Sequence, residues 1–339
     1  MKRLKRIIRL LIWLLAGLAL VYLFGPKPAK PVYAKTWPEV PAEAKALQAF
    51  IAQEEARHRL KPDNEARIIW ASDSLKQPTE YALVYLHGFS ASQEEGDPVH
   101  EYLAKTFGCN LYLSRLSQHG IDTSEQLLNL TADNYWETAK TALAIGEKLG
   151  RKVILIGTST GGTQALQLAA AFPDKVHALI LLSPNIAIND DLAWFANNPW
   201  GLQVGKLVKG GPYVVPADTR AVYKQYWNGP YRLEAVVQLQ EMLETTMRPQ
   251  TFASITQPLL LMYYYKDDEH QDKVVRVSAM LDMYEQLATP IVMKRKVPIP
   301  EAGDHVIGSY IKSGAVEQVK QNAKTFMEEV LQLKPVQNQ

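Results

Sequence analysis

The sequence predicts an α/β fold, a mainly parallel sheet covered by helices on both faces, and three observations carry that prediction. Short apolar runs alternate along the 339 residues with segments of helical period. The runs at 153–156, 178–182 and 259–265 are nearly continuous in apolar residues, as strands buried on both faces must be. The first of them leads through Gly157-Thr158-Ser159-Thr160-Gly161 into the helical spacing of 163–171, which makes a strand, a sharp turn and a helix in succession.

The first thirty or so residues differ from the rest. Lys2, Arg3, Lys5, Arg6 and Arg9 precede an unbroken apolar run from Leu10 to Phe24 that stops at Gly25-Pro26. With Ile7, Ile8 and a snorkelling Arg9 included, 7–24 would rise about 27 Å as a helix, enough to cross a thin hydrocarbon core. The basic end should stay cytoplasmic and send the remainder outward. A cleaved signal peptide is the alternative, with Val32-Tyr33-Ala34 as its cleavage site, which would leave a secreted protein. That site lies about ten residues past the run, beyond Pro26, Pro28 and Pro31, so 1–24 is read as a membrane anchor. Residues 25–41 read as a linker, and 42–339 as one large domain.

Within that domain 42–58 has helical period, and 67–71 and 81–86 suit strands. Residues 98–107 look helical, 110–114 extended and 132–149 strongly helical. Beyond the turn come strands at 178–182 and 259–265, a helix at 280–287, a strand at 291–297 and a closing amphipathic helix at 316–333. The stretch 184–256 is too long for an ordinary connection. It holds a helical segment at 233–247 and the aromatics Trp194, Phe195, Trp200, Tyr213, Tyr223, Tyr226, Trp227 and Tyr231. It is expected to form a helical cap over the active-site end of the sheet; most of its aromatics would make the cap's own core, and together they suggest an apolar passage.

Composition excludes several function classes. Cys109 is the only cysteine, so an internal disulfide and a thiolate metal cluster are both impossible. The net charge is +2, and without the five basic residues of the leader it is about −3, which leaves no basic face for nucleic acid.

Four sites fit one machine. Ser159, between two glycines at a strand-to-helix corner, suits a nucleophile, because glycine lets neighbouring backbones approach without a Cβ clash. A serine hydroxyl needs a base to take its proton, and His305 alone of the seven histidines follows the last strand, in Gly303-Asp304-His305-Val306. An acid must orient that imidazole. Distance from the strand at 259–265 favours Asp267 or Asp268; distance to the next helix, with Ser278 as its N-cap, favours Asp272. Reading 266–271 as a local insertion selects Asp272, with Asp267 as the alternative acid. The strand at 81–86 runs into His87-Gly88-Phe89-Ser90, where the N–H of Phe89, with that of Thr160, can hold a developing oxyanion.

On His87-Gly88-Phe89, Gln118-His119-Gly120, Gly157-Thr158-Ser159-Thr160-Gly161-Gly162 and Gly303-Asp304-His305, the chain from about 66 to 333 resembles the α/β-hydrolase superfamily. The resemblance is to its serine carboxylesterases and its monoacylglycerol lipase or lysophospholipase-like members with a helical cap. Those families often have Gly-His-Gly where this chain has Gln118-His119-Gly120, and the acid loop here is longer. The resemblance implies a Ser-Asp-His hydrolase acting through an acyl-enzyme, without metal or organic cofactor, on a small-molecule ester or lipid-like substrate. Two rival readings fit the same residues. One is a proline-iminopeptidase-like peptidase, for which Glu234, Glu241 or Glu244 would bind the substrate amine; the other is a non-catalytic lipid-binding protein of the same fold.

Overall fold

The computed structural model describes residues 2–336. The chain opens with helix α1 (Lys2–Leu23), continues without helix or strand to α2 (Ala44–Glu55), and then alternates strands and helices. In order these are β1 (Arg67–Ile69), β2 (Thr79–Leu86), α3 (Val99–Phe107), β3 (Asn110–Leu113), α4 (Ala132–Leu149), β4 (Gly150–Thr158), α5 (Thr160–Ala171) and β5 (Ala178–Leu182). Between β5 and the next sheet strand lie α6 (Gly201–Lys209), β6 (Tyr213–Val214), α7 (Ala221–Tyr226), β7 (Tyr231–Arg232), α8 (Leu233–Thr246) and α9 (Pro249–Phe252). The fold closes with β8 (Leu259–Tyr263), α10 (Val277–Gln286), β9 (Lys294–Pro298) and α11 (Val316–Glu329).

Seven strands form one sheet in the order β1-β3-β2-β4-β5-β8-β9. Only β1 runs antiparallel, pairing Arg67 with Leu113 at the edge. The strands β2, β4, β5 and β8 are buried along the sheet centre because side chains of both faces meet helices. One core, with Leu143, Leu166, Leu239 and Met280, packs against one face; the other, with Leu103, Phe326 and Met327, packs against the opposite face. The parallel register of β2, β4, β5 and β8 aligns their carboxyl ends, and the loops there carry the site.

Some expected boundaries shift. The helix expected at 280–287 begins earlier, at Val277, with Arg276 at its N-cap, so Ser278 lies inside α10 and caps nothing. The first residues of the strand expected at 291–297 form a single 3-10 turn before β9. The stretch 25–41, read as a linker, is pinned along α4. Ala34 O accepts from Trp136 Nε1 and from the fully buried Lys140 Nζ, and Trp37 stacks edge-on to Phe172 at 4.8 Å.

Candidate active site

Ser159 stands alone between the end of β4 and the start of α5, with φ +52° and ψ −119°, a region a side chain other than glycine rarely occupies. Its backbone is over-determined: its N–H donates to Leu182 O on β5, and its carbonyl accepts from Gly162, Thr163 and Asn185 N–H. Gly161 makes the corner possible. A β-carbon there would lie 1.9 Å from Leu86 O, so α5 can approach the end of β2 only without one. Thr160 is the first residue of α5, and the positive end of that helix lies at the serine.

The loop after β2 is held from beneath by two buried histidines. His87 Nε2 accepts from Leu116 N–H at 2.9 Å and its Nδ1–H donates to Gly88 O. His119 Nε2 accepts from Ser90 N–H at 3.0 Å while Nδ1–H donates to Ser117 O. Burial pushes His87 down to about 4 and His119 well below its usual value, so both remain neutral and keep these tautomers. Gln118-His119-Gly120 is therefore a support for Ser90. Among the described residues, the N–H groups of Phe89 and Thr160 have no hydrogen-bond partner.

Asp272 and His305 come together. His305 Nδ1 lies 2.6 Å from Asp272 Oδ2, and both side chains are almost wholly buried. The other carboxylate oxygen of Asp272 accepts from Val274 and Val275 N–H at 2.8 and 3.0 Å, which fixes the carboxylate before it meets the imidazole. Burial depresses the His305 imidazole, but the charge and hydrogen bond of Asp272, with Glu95 and Asp304 behind them, outweigh it and raise its pKa above the ordinary value. Nε2 of His305 is buried without a partner. Ser159 and His305 line the same cavity, and among the described residues no hydrogen bond joins them. Asp267 lies elsewhere: it is exposed, and its carboxylate binds the backbone and ring of His270. Residues 266–270 are pinched into a local turn by the Tyr265–Gln271 bridge and the Lys266–His270 hydrogen bond.

Glu95 carried no signal in the sequence. It lies on a 3-10 turn at Gln93–Gly96 and is buried in the cavity wall. Its Oε2 accepts from Gly88 N–H at 2.5 Å, and a β-carbon on Gly88 would meet Glu95 oxygens at 2.8 Å and Ser159 Cβ at 3.0 Å. Burial pushes this carboxyl up to about 8, against the opposing pull of the Gly88 hydrogen bond and His305.

The cavity measures about 570 Å³. The stretch between β5 and β8 contributes Tyr223, Trp227, Tyr231 and Leu239 as an apolar wall, and Asp218, Lys273, Asp304 and Lys312 line the cavity with charge elsewhere. Tyr223 and Trp227 stack at 5.0 Å, and Tyr231 meets Phe89 edge-on. The remaining aromatics of that stretch do not line the cavity: Tyr226 bonds Asp63, Tyr213 bonds Glu125, and Trp194 and Trp200 face outward. Nor do the three carboxylates weighed for amine binding. Glu234 pairs with Arg232 and Lys206, while Glu241 and Glu244 hold Asn197.

A family model described as alpha/beta hydrolase fold matches residues 81–204. No curated protein sequence matches the chain. Among solved structures, the chain is similar to a metagenome-derived lipolytic enzyme of the LipS and LipT pair, with TM-score 0.63 and 16% identity over 80% of this chain and 99% of that one. It is similar to Est1E from Butyrivibrio proteoclasticus, solved with ferulic acid, with TM-score 0.56 and 20% identity over 79% and 95%. A monoacylglycerol lipase from Paleococcus ferrophilus aligns with TM-score 0.53 and 15% identity over 76% and 98%. With the sheet order, the strand-to-helix corner at Ser159 and these likenesses together, the chain has the α/β-hydrolase fold.

Proposed function

We propose that this protein is a membrane-tethered serine hydrolase of carboxylic esters. The observation that carries this reading is a strained serine at a helix N-terminus in one cavity with a buried imidazole–carboxylate pair. In this reading His305 Nε2, with no competing partner, takes the Ser159 proton as Oγ attacks the ester carbonyl. The resulting oxyanion is held by the N–H groups of Phe89 and Thr160, which point no hydrogen bond elsewhere. Asp272 fixes the Nδ1–H tautomer and stabilises the imidazolium. His305 then protonates the leaving alcohol, and water enters by the reverse route to release the acid from the acyl-enzyme. This chemistry requires no metal or organic cofactor.

The apolar cavity wall favours an acyl chain of some length, and the lipolytic and esterase activities named for the similar structures agree with that class. Helix α1 is long and apolar enough to cross a membrane. The contacts of Ala34 with Trp136 and Lys140 support an anchor that stays attached, since they lock the Val32-Tyr33-Ala34 stretch against the body. The test is labelling by a fluorophosphonate probe with turnover of a medium-chain nitrophenyl ester. Both should vanish in Ser159→Ala. Turnover of an aminoacyl-nitroanilide but not of the ester would overturn the esterase reading in favour of a peptidase, and an unlabelled, folded wild type would overturn catalysis itself.

A further inference from the structure

Outside α1, six of the exposed large apolar side chains fall within one short stretch: Leu192, Trp194, Trp200, Val204, Leu207 and Val208. Four of these are spaced as one helical face, since Trp200 precedes the first turn of α6 and Val204, Leu207 and Val208 follow at helical intervals. Leu207 and Val208 are 81% and 76% exposed, as if the helix presented its apolar side to solvent. The opposite side faces the protein: Lys206 Nζ meets Glu234 of α8 at 2.7 Å. Such a helix inverts the usual arrangement, in which the apolar stripe is the one that packs.

The identity of the missing partner follows from where α6 begins. Trp200 is clamped to the far end of α1, its ring Nε1 donating to Val21 O at 2.8 Å and its backbone N–H to Pro26 O at 2.9 Å. Tyr22 reaches Asn198 of the same stretch. Val21 belongs to the apolar run itself, so where α1 spans a bilayer, Trp200 stands at the level at which the chain leaves hydrocarbon. Trp194, Trp200 and Tyr22 are the residue types that occupy that level. Lys27 and Lys209 beside the stripe are exposed, and exposed Asp191 is paired with Arg276.

We infer that the Trp200, Val204, Leu207 and Val208 face of α6, with Trp194, lies in the headgroup–acyl boundary of the bilayer that α1 crosses. The inference rests on reading α1 as a membrane anchor. An in-plane helix of this kind enters the boundary by about 5–10 Å. The same stretch continues through Val215 into Pro216, Ala217 and Asp218 of the cavity wall, so the contact would hold the cavity beside the lipid surface.

The test uses the full chain in vesicles of phosphatidylcholine and phosphatidylglycerol. An environment-sensitive fluorophore is placed on cysteines introduced one at a time by L207C, V208C, L14C in α1, and V292C, an exposed site before β9. Cys109 is buried with its thiol pushed up to about 12, so it does not compete for the label. The expected result is quenching of the 207 and 208 probes by lipid-borne nitroxide and shielding from aqueous iodide, with the reverse at 292. Iodide-accessible probes at 207 and 208, alongside a lipid-quenched probe at 14, would overturn the docking face while leaving the anchor intact. Shielding from iodide without lipid quenching would overturn it in favour of a second copy of the chain. A probe at 14 that lipid nitroxide does not reach would overturn the anchor reading, and the docking with it.

Discussion

At the scale of single residues, the two acids weighed in the sequence have opposite surroundings. Asp272 is buried, bonded to two backbone N–H groups and to His305, whereas Asp267 is exposed and serves its own turn. Asp272→Asn is therefore expected to lower kcat by about 10³- to 10⁴-fold, and Asp267→Asn to leave it within about twofold, in steady-state ester assays. Because Asp272 raises the His305 pKa, activity should rise with pH through a midpoint above the ordinary imidazole value, and Asp272→Asn should move that midpoint down. Glu95 acts in the opposite pH range. Its carboxyl titrates near 4.5 when unfolded and about 8 when folded, so the folded state holds the extra proton between those values. Stability is full below the lower value and falls as pH rises toward about 8. Glu95→Gln removes that loss. Its melting temperature relative to wild type should improve by several degrees between pH 5 and 8, and its activity should persist above pH 8, where a carboxylate beside the oxyanion would oppose reaction. A wild-type and variant pair with parallel pH profiles would refute this role.

At the scale of elements, the turn between β4 and α5 is the part most constrained by sterics. Gly161→Ala forces a methyl group into Leu86 O at the end of β2, and neither backbone can yield without moving α5 off the sheet. A destabilisation of about 3 kcal/mol or more is expected, read as a shift in the urea midpoint. The element boundaries also mark how far periodicity reaches. β4 starts at Gly150 rather than 153, because Gly150 and Lys152 pair with Thr79 and Tyr81 of β2 while the Arg151 side chain between them remains in solvent. α10 starts before Ser278 because Asp272 accepts the Val274 and Val275 N–H groups and turns the chain into the helix, a tertiary arrangement that outweighs a local capping preference.

At the scale of the whole molecule, the sheet gathers residues from 89 to 305 at the carboxyl ends of its strands, and the excursion between β5 and β8 supplies the apolar wall. If that wall receives an acyl chain, kcat/KM for nitrophenyl esters should rise by up to about fourfold per methylene until the cavity is filled. A flat profile from acetate to octanoate would argue for a substrate bound outside it.

The sequence by itself determined the alternation of strands and helices, the corner at Ser159 and the chain order of serine, acid and histidine. Those signals are local, arising from period, glycine placement and apolar run length. The sequence preferred Asp272 to Asp267 by reading 266–271 as an insertion, and the tertiary structure put Asp272 against His305, because the turn closed by the Tyr265–Gln271 bridge brings that residue to the imidazole. The tertiary structure alone set Glu95 beside Gly88, gave His87 and His119 their loop-holding work, and separated Tyr223, Trp227 and Tyr231 from the outward Trp194 and Trp200. Each of these depends on burial and on partners far away in the chain, quantities that residue spacing does not encode.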